Sequence, residues 1–357
     1  MTLLQRTEAF AKLGSFLHQF KDDKRDDANF SVLNDSFFDT SISLFKSLKI
    51  YNGWFDETNV RNAVSSISTM LQLEPLQKWT MQYAIPTENK SPRKVGLVMA
   101  GNIPLVGFHD FLCVLITGNT AVVKLSSDDK LLLPHIVKIL CAIEPAFQPS
   151  IIFTEYKLDS IDAVIATGSG NTARYFDYYF GKYPHIIRKN RNSVAVLDGK
   201  ENKQELEKLG EDIFWYYGLG CRNVSKLFIP KGYDLNIFFE AIYKFNDIIN
   251  HNKYANNFDY NRAVYLMGKD KEGLLENGFV FLTINEQYAS PVAVLFYEYY
   301  EDEIKLARKL EADKEKIQCI VSHCDFIANK IPFGKAQQPQ LGEYADDVDT
   351  MQFLVEL

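Results

Sequence analysis

The 357-residue chain has no apolar run approaching the ~18 residues that cross a bilayer. Nor does it have a basic excess, since 39 Lys and Arg stand against 46 Asp and Glu for a formal charge of -7. The first absence argues against a helical membrane protein. The second leaves no broad positive field for a phosphate backbone, so neither membrane nor nucleic acid is expected as a partner. The opening MTLLQRTEAFAKLGSFL reads as an amphipathic helix rather than a signal peptide, which points to the cytoplasm. Internal repeats, low-complexity tracts and long Gly/Ser linkers are missing. Cysteine is sparse and odd in number, with Cys113, Cys141, Cys221, Cys319 and Cys324 at uneven spacings, which excludes a disulfide framework and predicts reduced thiols. Cys319, His323 and Cys324 lie in IQCIVSHCDF without a second ligand pair at the usual zinc spacing. That stretch therefore reads as strand and turn, and no metal is expected.

What is present is ordinary globular material, 46% hydrophobic and 24% charged, in a chain longer than the ~100 to 200 residues of a common domain. Two principal lobes are predicted. Residues 1–187 read as a helical lead-in, broken at NDSFFDTSIS and NGWFDETN, followed by a βαβ series. In that series VGLVMA, AVVKLS and IDAVIAT are buried strands, each followed by a glycine turn or a helix. Residues 188–330 repeat the pattern with NSVAVLD and VSKLFIP as strands, ENKQELEKLGEDIFWYY as a helix, and YDLNIFFEAIYKFNDIIN as an amphipathic helix. Residues 331–357 end in DTMQFLVEL, which reads as a lone strand able to join another subunit.

Five segments in this order resemble the aldehyde dehydrogenase superfamily, and most closely its LuxC-like acyl-CoA reductase branch. They are AGNIPLVGFHDFLCVLITGNTAVVKLSS, ATGSGNTAR, YYGLGCRNVSKLFIP, NEQYASPVAVLFY and PFGKAQQPQLGEY. The resemblance implies an α/β fold: a Rossmann-like cofactor domain, an α/β catalytic domain and a carboxy-terminal oligomerisation strand, in a homo-oligomer. It implies that Cys221, behind Gly218 and Gly220, is the nucleophile, and that Asn102 donates its amide to the oxyanion. Read locally, Asn102 serves equally well as the start of a turn before Pro104.

For the cofactor, the resemblance implies that Lys124 contacts the adenosine ribose with Ser126 nearby, and that Gly168 and Ser169 contact the phosphates at a helix start. Ser127 stands where many NAD-preferring relatives carry a glutamate. Losing that carboxylate favours NADPH, with NADH as the alternative. Glu286 is a candidate for the nicotinamide ribose, one position out of register with the family segment. Hydrolytic relatives carry a water-activating glutamate where this chain has Ile187, which favours exchange with coenzyme A over hydrolysis. The expected reaction is reduction of an acyl-CoA to an aldehyde, with an acyl-donating enzyme as a further expected partner. The rival readings are acyl transfer on Cys221 without a redox step, a non-catalytic scaffold, and action on an acyl phosphate.

Overall fold

Helix caps set the amino-terminal elements. Thr2, Asp26 and Asp56 accept from backbone N–H groups three residues on and start α1 (Leu3–His18), α2 (Asp27–Tyr51) and α3 (Glu57–Met70); α4 (Leu73–Thr80) follows. The break expected at NDSFFDTSIS is absent, because that stretch lies inside α2. There the Ser36 and Thr40 hydroxyls donate back to carbonyls one turn earlier instead of capping a new helix. Gly14 lets α1 and α3 touch: a Cβ on it would sit 2.6 Å from Leu71 Cβ, and Ser68 Oγ donates to its carbonyl at 2.9 Å.

The computed structural model describes residues 1–168, 170–268 and 273–357, and the side chains of all of these except 170–174. The chain divides into two compact units, Met1–Lys189 with Pro339–Leu357, and Asn190–Gln338. The first unit continues with β1 (Lys94–Val98), α5 (Phe108–Ile116), β2 (Thr120–Lys124), α6 (Leu132–Ile143), β3 (Ile151–Phe153), β4 (Ala163–Thr167), α7 (Gly170–Phe180) and β5 (His185–Arg188). Among the described residues its strands form one parallel sheet in the order β3-β2-β1-β4-β5. Val95, Leu97, Ala121 and Val123 join the core built with α1 to α6. Val122, Val164 and Ala166 join a second cluster with Phe176 and Phe180 of α7. Burial on both faces explains why these strands read as continuous apolar runs.

The run predicted as a terminal oligomerisation strand is instead a short helix, α12 (Thr350–Val355). Asp349 caps it by accepting from Gln352 N–H, and Met351 and Leu354, three residues apart, are both buried in the first unit's core. A spacing of three places both on one helical face, whereas a strand would have sent them to opposite faces. Arg188, 4% exposed, secures this segment by donating to both Asp110 oxygens (2.6 and 3.2 Å) and to Thr350 Oγ1 (2.8 Å).

The second unit comprises β6 (Asn192–Val196), α8 (Lys203–Phe214), β7 (Val224–Pro230), α9 (Leu235–Ile242), α10 (Asn252–Met267), β8 (Leu275–Glu276), β9 (Phe281–Ile284), β10 (Val294–Tyr300), α11 (Glu303–Ala312), β11 (Ile317–Ser322) and β12 (Lys330–Ile331). Its sheet runs β12-β11-β6-β7-β10-β9-β8, parallel except for the β8–β9 pair. One core cluster includes side chains of α8 and α9, and another includes Leu306 and Leu310 of α11. None of the described helices is long and apolar enough to cross a membrane.

Candidate active site

In the first unit the strand order reverses direction beside β1, with β2 on one side and β4 on the other, and parallel sheets bind ligands at the carboxyl ends of such strands. Four of the candidates from sequence lie at or just beyond that edge. Lys124 ends β2, half-buried, and its carbonyl accepts from Met99 N–H at 3.0 Å. Ser126 Oγ accepts from Asp128 N–H at 3.2 Å, Ser127 is exposed, and Gly168 follows β4. Ser169 lies outside the described residues. Asn102 is exposed in the bend after β1, immediately behind Gly101. A Cβ on Gly101 would sit 2.6 Å from Ser126 Oγ, so the glycine lets the ends of β1 and β2 meet. The same bend contains Leu105 at a φ of 58°, held by its N–H donating to buried Asp129 Oδ2 at 3.1 Å. Burial raises the Asp129 carboxyl above its ordinary range. Sequence reading passed over Asp129.

In the second unit, Cys221 stands half-buried between the end of α8 and the start of β7, on a turn whose backbone is strained. Tyr216, Tyr217 and Gly218 all adopt positive φ (52°, 59° and 76°), and only glycine does so without cost. The two tyrosines are buried, and Tyr217 stacks on His251 with ring centroids 4.2 Å apart. Asn223, 2% exposed, clamps the turn. It accepts from Gly220 N–H at 2.8 Å and donates to the carbonyls of Trp215 (2.9 Å) and Asp212 (3.0 Å). Ser193 Oγ donates to the Cys221 carbonyl at 3.0 Å, and Arg222 Nε donates to the Ala336 carbonyl. Asp212 accepts from Gly334 and Ala336 N–H, which fixes the PFGKAQQ loop beside the elbow, and burial pushes its carboxyl up to about 7. A strained turn held from several sides presents a side chain at a fixed angle, which a nucleophile requires.

The other thiols are placed differently. Burial raises Cys113, Cys141, Cys319 and Cys324, the last two to about 11, and so keeps them protonated. Cys319 meets Ser193 Oγ at 3.0 Å, so it stands behind the same serine that holds Cys221.

Glu286 is exposed in the loop after β9, and its carbonyl accepts from Lys226 Nζ at 2.9 Å. Lys226 is wholly buried on β7, paired with Glu298 at 2.8 Å, with its ammonium over the Phe228 and Tyr288 rings. With Ser225 Oγ donating to the Tyr288 carbonyl at 2.6 Å, it holds the 286–288 segment along β7. Ile187 lies on β5, level with Ala166.

The sequence model of the acyl-CoA reductase (LuxC) family matches residues 16–241, more than half of the chain. No curated protein matches. Several solved structures are similar in fold. Aldehyde dehydrogenase 21 of Physcomitrella patens, in complex with succinate, is 12% identical, with a TM-score of 0.68 over 100% of this chain and 84% of that one. An NAD-dependent aldehyde dehydrogenase of Sinorhizobium meliloti is 11% identical, with a TM-score of 0.63 over 90% and 70%. The NADP-dependent glyceraldehyde-3-phosphate dehydrogenase of Bacillus halodurans C-125, complexed with NADP, is 13% identical, with a TM-score of 0.60 over 91% and 74%. The chain therefore has the aldehyde dehydrogenase fold and belongs to the LuxC acyl-CoA reductase family.

Proposed function

We propose that this chain reduces an acyl-CoA thioester to the aldehyde with NADPH, through an acyl-enzyme on Cys221. The observation that carries the reading is the elbow: the half-buried Cys221 is mounted on a strained, clamped turn, while burial holds the other four thiols protonated. In this reading the Cys221 thiolate attacks the thioester carbonyl carbon, the bond from that carbon to the coenzyme A sulfur breaks, and coenzyme A leaves. Asn102 is assigned to the oxyanion formed on attack, because its amide donates without bringing charge.

The nucleotide is assigned to the carboxyl edge of the first sheet. Lys124, Ser126 and Ser127 are assigned to its ribose side, Gly168 and, from the sequence alone, Ser169 to its phosphates, and Glu286 to the nicotinamide ribose. The Gly101 cradle supports the fit, since a side chain there would fill the edge where Ser126 stands. Ser127 offers a hydroxyl where a carboxylate would repel a 2'-phosphate, which favours NADPH over NADH. Bound there, NADPH would supply the hydride that takes the acyl-cysteine to the aldehyde level. The balance is acyl-CoA, NADPH and a proton giving aldehyde, coenzyme A and NADP+.

The test follows NADPH absorbance with acyl-CoAs of graded chain length, in wild type and Cys221→Ala. Oxidation with stoichiometric aldehyde, lost in the variant, is expected. Labelling of Cys221 by radioactive acyl-CoA without oxidation of NADPH or NADH would replace the reading with acyl transfer. Neither oxidation nor labelling would replace it with a non-catalytic role.

A further inference from the structure

At one edge of the second unit's sheet, side chains far apart in sequence converge on a single imidazole. Asp198 leaves the carboxyl end of β6, and His323 and Cys324 leave the carboxyl end of β11, the strand beside it, where Val196 and Ser322 are register partners. His323 Nε2 lies 3.0 Å from Asp198 Oδ1 and 3.4 Å from Glu201 Oε1, and His323 Nδ1 lies 3.1 Å from Glu205 Oε1. The ligand atoms of Asp198, His323 and Cys324 all fall within 4.8 Å of one another. Three carboxylates thus crowd one ring; two ammonium groups lie nearby, the exposed Lys200 on Asp198 at 3.2 Å and Lys330 on the His323 and Cys324 carbonyls.

We propose that Asp198, His323 and Cys324 bind a divalent transition ion of the zinc type, with Glu201 as fourth ligand and Glu205 orienting the imidazole. The donor set is one nitrogen, one sulfur and carboxylate oxygens, which suits zinc or cobalt and not the all-oxygen shells of calcium or magnesium. Ligand atoms on a tetrahedral ion with bonds of about 2.0 to 2.3 Å stand about 3.3 to 3.8 Å apart, so Asp198, His323 and Cys324, within 4.8 Å of one another, would close on an ion by about 1 Å. Glu205 on Nδ1 reproduces the carboxylate–histidine–metal arrangement that fixes a ligating ring.

The backbone beneath these side chains is already ordered. Glu201 accepts from the N–H groups of Asp198 and Gly199, Asn202 and Glu205 form a reciprocal cap on α8, and Lys330 Nζ donates to the carbonyls of His323 and Cys324. The ion would therefore clip β6 to β11 as a structural site. It would not touch the nucleophile, because Cys221 precedes β7, whose first residue Val224 is level with Ser193 at the opposite end of β6. Four to five residues of strand, about 15 Å, separate the two ends.

The experiment uses full-length protein freed of metal by chelator and titrated with cobalt(II). One equivalent is expected to bind, with thiolate-to-cobalt charge-transfer absorption and the visible bands of a tetrahedral ion, and zinc should displace it. Cys221→Ala should retain the spectrum and Cys324→Ser should lose it. Glu205→Gln, which leaves all four ligands in place, should weaken binding ~10- to 100-fold. If Cys324→Ser does not fold, His323→Gln and Asp198→Asn give the same reading by loss of binding. Absence of cobalt absorption in wild type would overturn the proposal in favour of a plain imidazolium–carboxylate cluster. Loss of the spectrum in Cys221→Ala with retention in Cys324→Ser would overturn it by assigning the ion to Cys221.

Discussion

Replacing Asn223 with alanine tests whether the Cys221 elbow is held as argued. The buried side chain makes three bonds of 2.8 to 3.0 Å across the turn, to Gly220 N–H and to the Asp212 and Trp215 carbonyls. At about 1 kcal/mol net for each, the loss is about 3 kcal/mol. For a unit of this size that lowers the melting temperature by about 6 to 12 °C. The chemical consequence is local. Tyr216 and Tyr217 sit at positive φ at a cost of about 1 to 3 kcal/mol each, and the clamp is what opposes their relaxation. Relaxation would turn Cys221 away from its presented angle, so its alkylation by iodoacetamide and its acylation by acyl-CoA should both slow in Asn223→Ala. Asn223→Asp should be no better than alanine, since a carboxylate keeps the bond from Gly220 but opposes two carbonyl oxygens. Thermal melts and timed alkylation with peptide mapping measure both effects. If Asn223→Ala melts within about 1 °C of wild type and Cys221 reacts at an unchanged rate, the elbow does not depend on this residue and the argument fails.

Limited iodoacetamide at pH 8 should modify Cys221 first in the native protein, because burial raises the other four thiols; modification of Cys141 or Cys324 ahead of it would contradict that ordering. Gly14→Ala should destabilise the first unit by about 1 to 3 kcal/mol, because the new Cβ would meet Leu71 Cβ at 2.6 Å and the Leu71 carbonyl at 3.1 Å; an unchanged denaturant midpoint would show that α1 and α3 can separate freely. Asp212, pushed up to about 7 from an ordinary 3.8, holds in the folded state a proton that the unfolded chain has released. Its contribution is therefore full below about pH 4 and is lost as pH rises through about 7, and Asp212→Asn should flatten that part of the stability–pH curve measured by thermal melts between pH 4 and 8.

The strands were legible because both faces of each sheet are covered, which makes VGLVMA, IDAVIAT, NSVAVLD and VSKLFIP near-continuous apolar runs between turns. The terminal run was not, since six residues of TMQFLV satisfy a strand pattern as readily as a helical one, and only the packing of Met351 and Leu354 decides between them. Likewise α10 escaped notice: its buried residues Tyr254, Phe258 and Asn261 do fall on one face, but the Asn and Tyr around them leave almost no amphipathic contrast. At the elbow, Cys221 was marked by its glycines. Its neighbours Arg222 and Asn223 stood out as helpers of the site or as structural residues, but the clamp that Asn223 forms and the part of Ser193 were not legible, because their partners are main-chain carbonyls and amides, which look alike in every sequence. His323 and Cys324 were visible as a pair, yet Asp198 reaches them from 125 residues away.

Lys226 shows what such a reading can recover. A lysine inside VSKLFIP suggests a solvent-facing position, but the run 227–229 that follows it is apolar and a strand buried on both faces leaves no exit for an ammonium. A buried lysine needs a carboxylate on a neighbouring strand, on the same face and within about two residues of its register partner. The register partner is Phe296, and two residues further along the same strand stands Glu298, the acidic member of VLFYEYY. The lone charge in one apolar strand and the lone charge in the other therefore identify β7 and β10 as neighbours and fix their register to within one diagonal. Methionine at position 226 would leave Glu298 with Lys309 as its remaining ammonium partner and would free the Glu286 carbonyl from the strand. The loop from 286 to 288 is thus coupled to a charge whose presence is readable in the sequence and whose purpose is not.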